Sequence, residues 1–205
     1  IQPVAKVNAG QYFTTIIQSN GTLWALGNNT YGQLGQNNIQ PYFSPVQIGV
    51  SSTWTQSYNG YNHVLAIQTP GTLWAWGSNS YGQLGLNTNI SAYSTPRQIG
   101  AVTYWISASS GSLHSLGIQS PGTLWAWGLN SWGQLGTSNQ TNYSSPTQVG
   151  TGSLWTSVAC GYNHTAAIQT PGTLWTWGLN SWGQLGNSNQ TNLSSPVQVG
   201  ASSLW

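Results

Sequence analysis

Three histidines, His63, His114 and His164, stand 51 and 50 residues apart in a chain that contains no Asp or Glu. Imidazoles are common metal ligands and general bases near neutral pH, so their recurrence raises the question of chemistry first. A zinc site needs its ligands within about 2 Å of one ion, and equivalent points of a repeat are normally too far apart for that. A hydrolytic triad needs an acid to orient the imidazole, and the chain has none. The expected role is structural, each histidine bonding a backbone carbonyl within its own repeat. Cys160, the single cysteine, lies in the apolar run Val158-Ala159-Cys160. It is expected to behave as a small buried hydrophobe rather than a reactive thiol. No catalytic, metal or cofactor-binding residue is assigned.

A second recurring set has more promise. Tyr31, Tyr81, Trp132 and Trp182 each precede Gly-Gln-Leu-Gly, and Asn29, Asn79, Asn130 and Asn180 stand two residues before them. One reading buries these rings against the neighbouring repeat. The other exposes them as a ring of aromatic faces beside amides, with Asn130 and Asn180 among the contacts, a surface suited to sugars or to polar protein without any charge.

Composition narrows the field further. Ordinary soluble proteins are about 25% charged; this chain of 205 residues has only Lys6 and Arg97, yet 13 Trp and 10 Tyr. Missing carboxylates exclude paired-acid glycoside hydrolysis and carboxylate calcium sites. Two cations about ninety residues apart make no basic patch, so nucleic acid is not an expected partner. No apolar run approaches a membrane span, so no membrane insertion is expected. Asn-x-Ser/Thr triplets occur at Asn139, Asn142, Asn189 and Asn192 among others, which follows from an Asn-rich composition.

The elements that must position these residues come from self-alignment. Gly-Thr-Leu-Trp begins at Gly21, Gly71, Gly122 and Gly172, and Gly-Gln-Leu-Gly at Gly32, Gly82, Gly133 and Gly183. A Ser/Thr-Pro step closes each unit at Pro45, Pro96, Pro146 and Pro196. Runs such as His164–Thr170 and Thr173–Gly178 are β-rich and separated by Pro-Gly, which is hairpin chemistry. Four short strands in about 50 residues, repeated, are the arithmetic of a β-propeller blade. The expected fold is all-β, one segment over 1–205 with repeats at 4–53, 54–104, 105–154 and 155–204, and a fifth starting at 205.

With Gly60-x-x-His63, Gly161-x-x-His164, the Trp-Gly pairs and Gly-Gln-Leu-Gly, the unit resembles the repeat of the regulator-of-chromosome-condensation propellers. The first unit diverges, with Phe13 in the histidine position and Leu26-Gly27 replacing Trp-Gly. Such repeats often carry Asp after Gly-Gln-Leu-Gly and in the hairpin turn. Here those places hold Gln36, Leu86, Thr137 and Asn187, and Asn20, Pro70, Pro121 and Pro171. The family usually closes seven blades, so four units imply an arc of a larger ring, a four-bladed ring, or a ring shared between chains.

Neutral, repeated loops favour a non-catalytic structural or recognition module on an exterior surface. A virion fibre or decoration protein, or a cell-surface or filament protein, would fit. Its partners would be proteins, copies of itself in an assembly, or glycan. The resemblance implies an alternative: guanine-nucleotide exchange or a chromatin-associated scaffold, inside the cell.

Overall fold

The computed structural model describes residues 2–201; the expected start of a fifth repeat at Trp205 lies outside the described residues. Sixteen strands form four sheets of four, each antiparallel and each in chain order. The first sheet holds β1 (Val4–Ala9), β2 (Phe13–Gln18), β3 (Leu23–Gly27) and β4 (Tyr42–Gln47). The second holds β5 (Trp54–Asn59), β6 (His63–Gln68), β7 (Thr72–Ser78) and β8 (Ala92–Gln98). The third holds β9 (Trp105–Ser110), β10 (His114–Gln119), β11 (Thr123–Gly128) and β12 (Tyr143–Gln148). The fourth holds β13 (Trp155–Cys160), β14 (His164–Gln169), β15 (Thr173–Gly178) and β16 (Leu193–Gln198). First strands of successive sheets neighbour one another, β1 beside β5, β5 beside β9 and β9 beside β13, so they lie nearest the centre of an arc of blades. Among the described residues, no strand pairing or hydrogen bond joins the first sheet to the fourth, and the arc is open. No helix among them is long and apolar enough to cross a membrane.

Both faces of a middle blade are buried, which explains why its second strand is buried at almost every position rather than at alternate ones. β6 and β10 are buried at five and six of their residues. The indoles of Trp76, Trp127 and Trp177 are fully buried. Each donates from Nε1 to a carbonyl of the preceding blade, at Gln33, Gln83 and Gln134, all at 2.9 Å. Trp105, opening β9, packs edge-on against Trp127 with ring centroids 5.9 Å apart, a favoured arrangement of the two quadrupoles. The glycine after each indole is required by the backbone. At Gly128 φ is +102°, and a Cβ would sit 2.6 Å from the Leu113 carbonyl oxygen and 2.8 Å from the His114 Cα. No side chain fits there.

The histidines are structural, but not through a carbonyl of their own blade. Ser115 gives its one hydroxyl hydrogen to the Gln83 carbonyl at 2.8 Å. His63 must therefore donate from Nε2 to Ser115 Oγ, 2.9 Å away in the next blade. Its Nδ1 is left bare, enclosed and unpartnered. His114 repeats this one blade on: its Nε2 lies 3.3 Å from Thr165 Oγ1, which donates to the Gln134 carbonyl at 2.9 Å. Where the first unit has Phe13 for histidine, the second has Val64 for the hydroxyl, and both lie in one buried apolar cluster. The two residues change together because a buried donor without an acceptor, or the reverse, costs about 1–3 kcal/mol. Burial pushes the pKa of both His63 and His114 down to about 3, with repulsion from the other two histidines adding at His114. The half-buried His164 is lowered by the same cause. Burial also pushes the Cys160 thiol up to about 12, which makes it a poor nucleophile. Among the described residues no three His or Cys side chains gather where they could hold a metal.

Candidate recognition surface

Each Gly-Gln-Leu-Gly turn is held by two amide side chains. Asn29, Asn79, Asn130 and Asn180 accept the backbone N–H of Leu34, Leu84, Leu135 and Leu185 at 2.9–3.0 Å. Their amide nitrogens tie down the far side of the same loop, Asn130 through the Asn139 carbonyl and Asn180 through the Asn189 carbonyl. Asn130 and Asn180 are wholly buried. They are loop staples, and the expectation that they touch a ligand is corrected: every polar atom they own points into the loop. Replacing Asn130 with Ala removes the bonds that close its loop and is expected to cost about 1–3 kcal/mol, read as a shift of the urea midpoint with an unchanged slope.

The second amide belongs to Gln33, Gln83, Gln134 and Gln184. Each accepts the backbone N–H of the aromatic residue two positions before it, at 2.8–2.9 Å. These glutamines fix the ring positions, a role not assigned from sequence. The signal was present, since Gln recurs two residues after every one of these aromatics.

The rings themselves stand in solvent. Tyr31, Tyr81 and Trp132 are 42–43% exposed and Trp182 89%. The burial expected in one of the two readings is therefore partial at best. The loop of each of the first three blades rests on the last strand of the next: a Cβ at Gly32, Gly82 or Gly133 would meet Ser94, Ser144 or Ser194, whereas at Gly183 it meets nothing. That contact explains why Trp182 alone is so open.

Two of the four rings share a concavity. Tyr31 and Tyr81 line a cavity of about 230 Å³ with Tyr61, Tyr162, Asn62 and Ser112. Tyr61 and Tyr162, from the second and fourth units, meet edge-on with centroids 5.8 Å apart. Both occupy Gly-Tyr-Asn-His, the turn before the second strand, so two sets of loops from different points of the repeat meet on one face. Trp132 and Trp182 do not line this cavity. No charged side chain does either, and its chemistry is aromatic with hydroxyl and amide edges. Such a face can bind, and no carboxylate, imidazole or amine stands beside its hydroxyls in that lining.

The fold and this face define an arc of a β-propeller that presents aromatic loops. The regulator of chromosome condensation (RCC1) repeat profile matches residues 20–67, 70–118, 121–168 and 171–204, and a second RCC1 repeat profile matches 4–33 and 155–184. The chain belongs to the RCC1 repeat family. It is similar to the frog (Xenopus laevis) regulator of chromosome condensation, 29% identical over 138 residues, covering 65% of this chain and 32% of the relative. The solved structure of human WBSCR16 superposes with a TM-score of 0.85 at 23% identity, covering 96% of this chain and 53% of that one. Prp20p from Saccharomyces cerevisiae, described with its binding properties to Gsp1p and histones, gives 0.86 at 19% identity, covering 98% and 51%. The chain thus spans a third of the frog protein and about half of the solved propellers. Family membership supports a propeller binding or regulatory module.

Proposed function

We propose that this chain is the recognition part of a non-catalytic, protein-binding propeller, and that the aromatic loop face is the surface it uses. The observation behind this reading is the pairing of exposure with rigidity: four rings that reach solvent, each with its backbone N–H held by a glutamine side chain, buried at Gln33, Gln83 and Gln134. Aromatic side chains give large contact area for little lost side-chain freedom, and they dominate interface hot spots. Protein is favoured over glycan because the amides that would have met sugar hydroxyls are used inside the loops. The frog relative is named for chromosome condensation and the yeast one is described with histones. These names favour an intracellular placement over an exterior one.

Guanine-nucleotide exchange is the second reading, supported by the family. Histone binding by charge is not a reading for these four units, because they bring no acid to a basic partner.

A photo-crosslinking side chain in place of Trp132 or Trp182 is expected to give one dominant protein adduct in native extract. The same group in place of Phe43, which is 93% exposed on β4, should not give that adduct. Identical adduct patterns at all three places would sink the proposal. Faster release of bound nucleotide from Gsp1p on adding the chain would decide for exchange.

A further inference from the structure

Arg97 shows how this chain treats a cation. With no acid in the sequence to pair with, its guanidinium lies over the ring of Tyr93, 5.3 Å from the centroid. The negative face of an aromatic quadrupole attracts a cation placed within about 6 Å of the ring. Tyrosine rings also wall the cavity of about 230 Å³ on the loop face, and no charged side chain enters its lining.

Tyr61 and Tyr162 form one corner of that cavity. Their planes stand 86° apart with centroids at 5.8 Å, and two perpendicular rings turn one face each to the angle between them. Tyr31 and Tyr81 line the same space. Both are 43% exposed and Tyr162 63%, so a ligand reaches the rings without disturbing the core. The corner depends on one departure from the repeat. Where the second and fourth units have Tyr61 and Tyr162, the third has Ser112, which is 4% exposed. The Tyr61 N–H donates to the Gly111 carbonyl at 3.3 Å, and the Ser112 N–H to the Tyr162 carbonyl at 3.2 Å, which ties the three turns together. A small residue at 112 lets the rings of the second and fourth units meet across the third.

The polar atoms of the lining narrow the choice of cation. Asn62 accepts from Gln33 at 3.5 Å, Ser78 accepts from Gln83 at 3.2 Å, and Ser112 donates to Asn163 at 3.5 Å. An unmodified lysine brings three N–H donors that would leave water for a site whose polar groups are partly spent, with no carboxylate to offset the loss. A trimethylammonium group carries the same charge and no N–H. The cavity has the volume of about seven or eight waters, which is room for that group.

We infer that this box of tyrosines holds the trimethylammonium head of a methylated lysine on the partner protein, an inference that rests on the protein-binding reading above. Ring faces supply the attraction that a carboxylate would supply elsewhere. A basic partner is thereby recognised through one modified side chain, by a surface that carries no acid.

The test uses the peptide acetyl-Gly-Lys-Gly-amide with its lysine trimethylated, titrated into protein labelled with ¹³C in its tyrosine rings. Two control peptides carry unmodified lysine, and a neutral tert-butyl group in place of trimethylammonium. The N-methyl proton signal is expected to move upfield under the ring currents and the ring signals of Tyr61 and Tyr162 to saturate, with a dissociation constant on the order of 1 mM for so few contacts. Both controls should bind about tenfold more weakly or worse. Tyr162→Leu should weaken binding by about fivefold or more, whereas Tyr162→Phe, which keeps the quadrupole, should stay within about twofold. Phe43→Ala, outside the face, should change nothing. If Tyr162→Leu fails to fold, Tyr31→Leu replaces it with the same expected loss. The inference is overturned by ring signals that do not saturate, by a control peptide that binds as tightly, or by undiminished binding in the folded Leu variant. A partner cross-linked through Trp132 or Trp182 without saturable peptide binding overturns this inference and leaves the recognition reading standing. Saturable, charge-dependent peptide binding without any cross-linked partner sustains the tyrosine box and overturns the recognition reading.

Discussion

Lowering the pH from 7 to 4 is expected to unfold this chain through its histidines. Acid denaturation usually runs through carboxylates that are paired in the native state, and here there are no carboxylate side chains. His63 and His114 have folded pKa values of about 3, below the ordinary 6.5 of an unfolded chain. Between those values the unfolded chain takes up protons that the folded one refuses. Stability is therefore fully present above pH 6.5 and falls as the pH drops towards 3. The slope is about 1.4 kcal/mol per pH unit for each histidine. Two such groups remove on the order of 7 kcal/mol by pH 4, comparable to the typical total stability of a domain, roughly 5–15 kcal/mol. Urea midpoints at pH 7.5, 6, 5 and 4 would show it. The double variant H63F/S115V transplants the Phe13–Val64 pair of the first interface into the second, and should flatten the slope by about half. A midpoint independent of pH in the wild type, or a slope untouched in the variant, would contradict the burial of neutral imidazole.

That the histidines act across blades, rather than within one, was the part of the fold the sequence did not show. Four short strands to a unit, their hairpin turns and the propeller class were legible because period-two and turn signals are local, and fifty-residue recurrence repeats them four times. The partner of His63 was not, since Ser115 lies 52 residues away. Nothing local distinguishes a hydroxyl facing a neighbouring blade from one facing solvent. The clue was a paired change, Phe13 with Val64 against His63 with Ser115, visible only once the blades are stacked. The candidate site divides in the same way. Exposure and burial of Tyr31, Tyr81, Trp132 and Trp182 are two open readings from sequence; in the structure Trp182 is open, whereas the other three are 42–43% exposed beside loops that rest on the next blade. Asn130 and Asn180 looked equally available, because sequence spacing cannot tell an amide that caps its own loop from one that faces outward. Tyr61 and Tyr162 joined the face only through the meeting of two loop sets.

Replacing Trp127 with Ala should do more than lower stability, because its indole joins two blades. Truncating a fully buried Trp costs about 3–5 kcal/mol. The loss also removes the donor to the Gln83 carbonyl and the edge-on contact with Trp105. Trp125, two residues away on the same strand, is only half-buried and bonds Thr123 of its own strand. Ala at 125 should therefore cost less than half as much. The difference matters because repeat proteins hold together as a sum of unit stabilities and nearest-neighbour interfaces. Blades one and two share the contacts of Trp76, blades three and four those of Trp177, and only the middle interface depends on Trp127. The wild type is expected to unfold in a single urea transition, and weakening that interface alone should split it into two, one for each pair of blades. Trp125→Ala should keep one transition. Far-ultraviolet circular dichroism and indole fluorescence would diverge for W127A and coincide for W125A. A single coincident transition in W127A, shifted no further than in W125A, would mean that the indole fills space without coupling the blades.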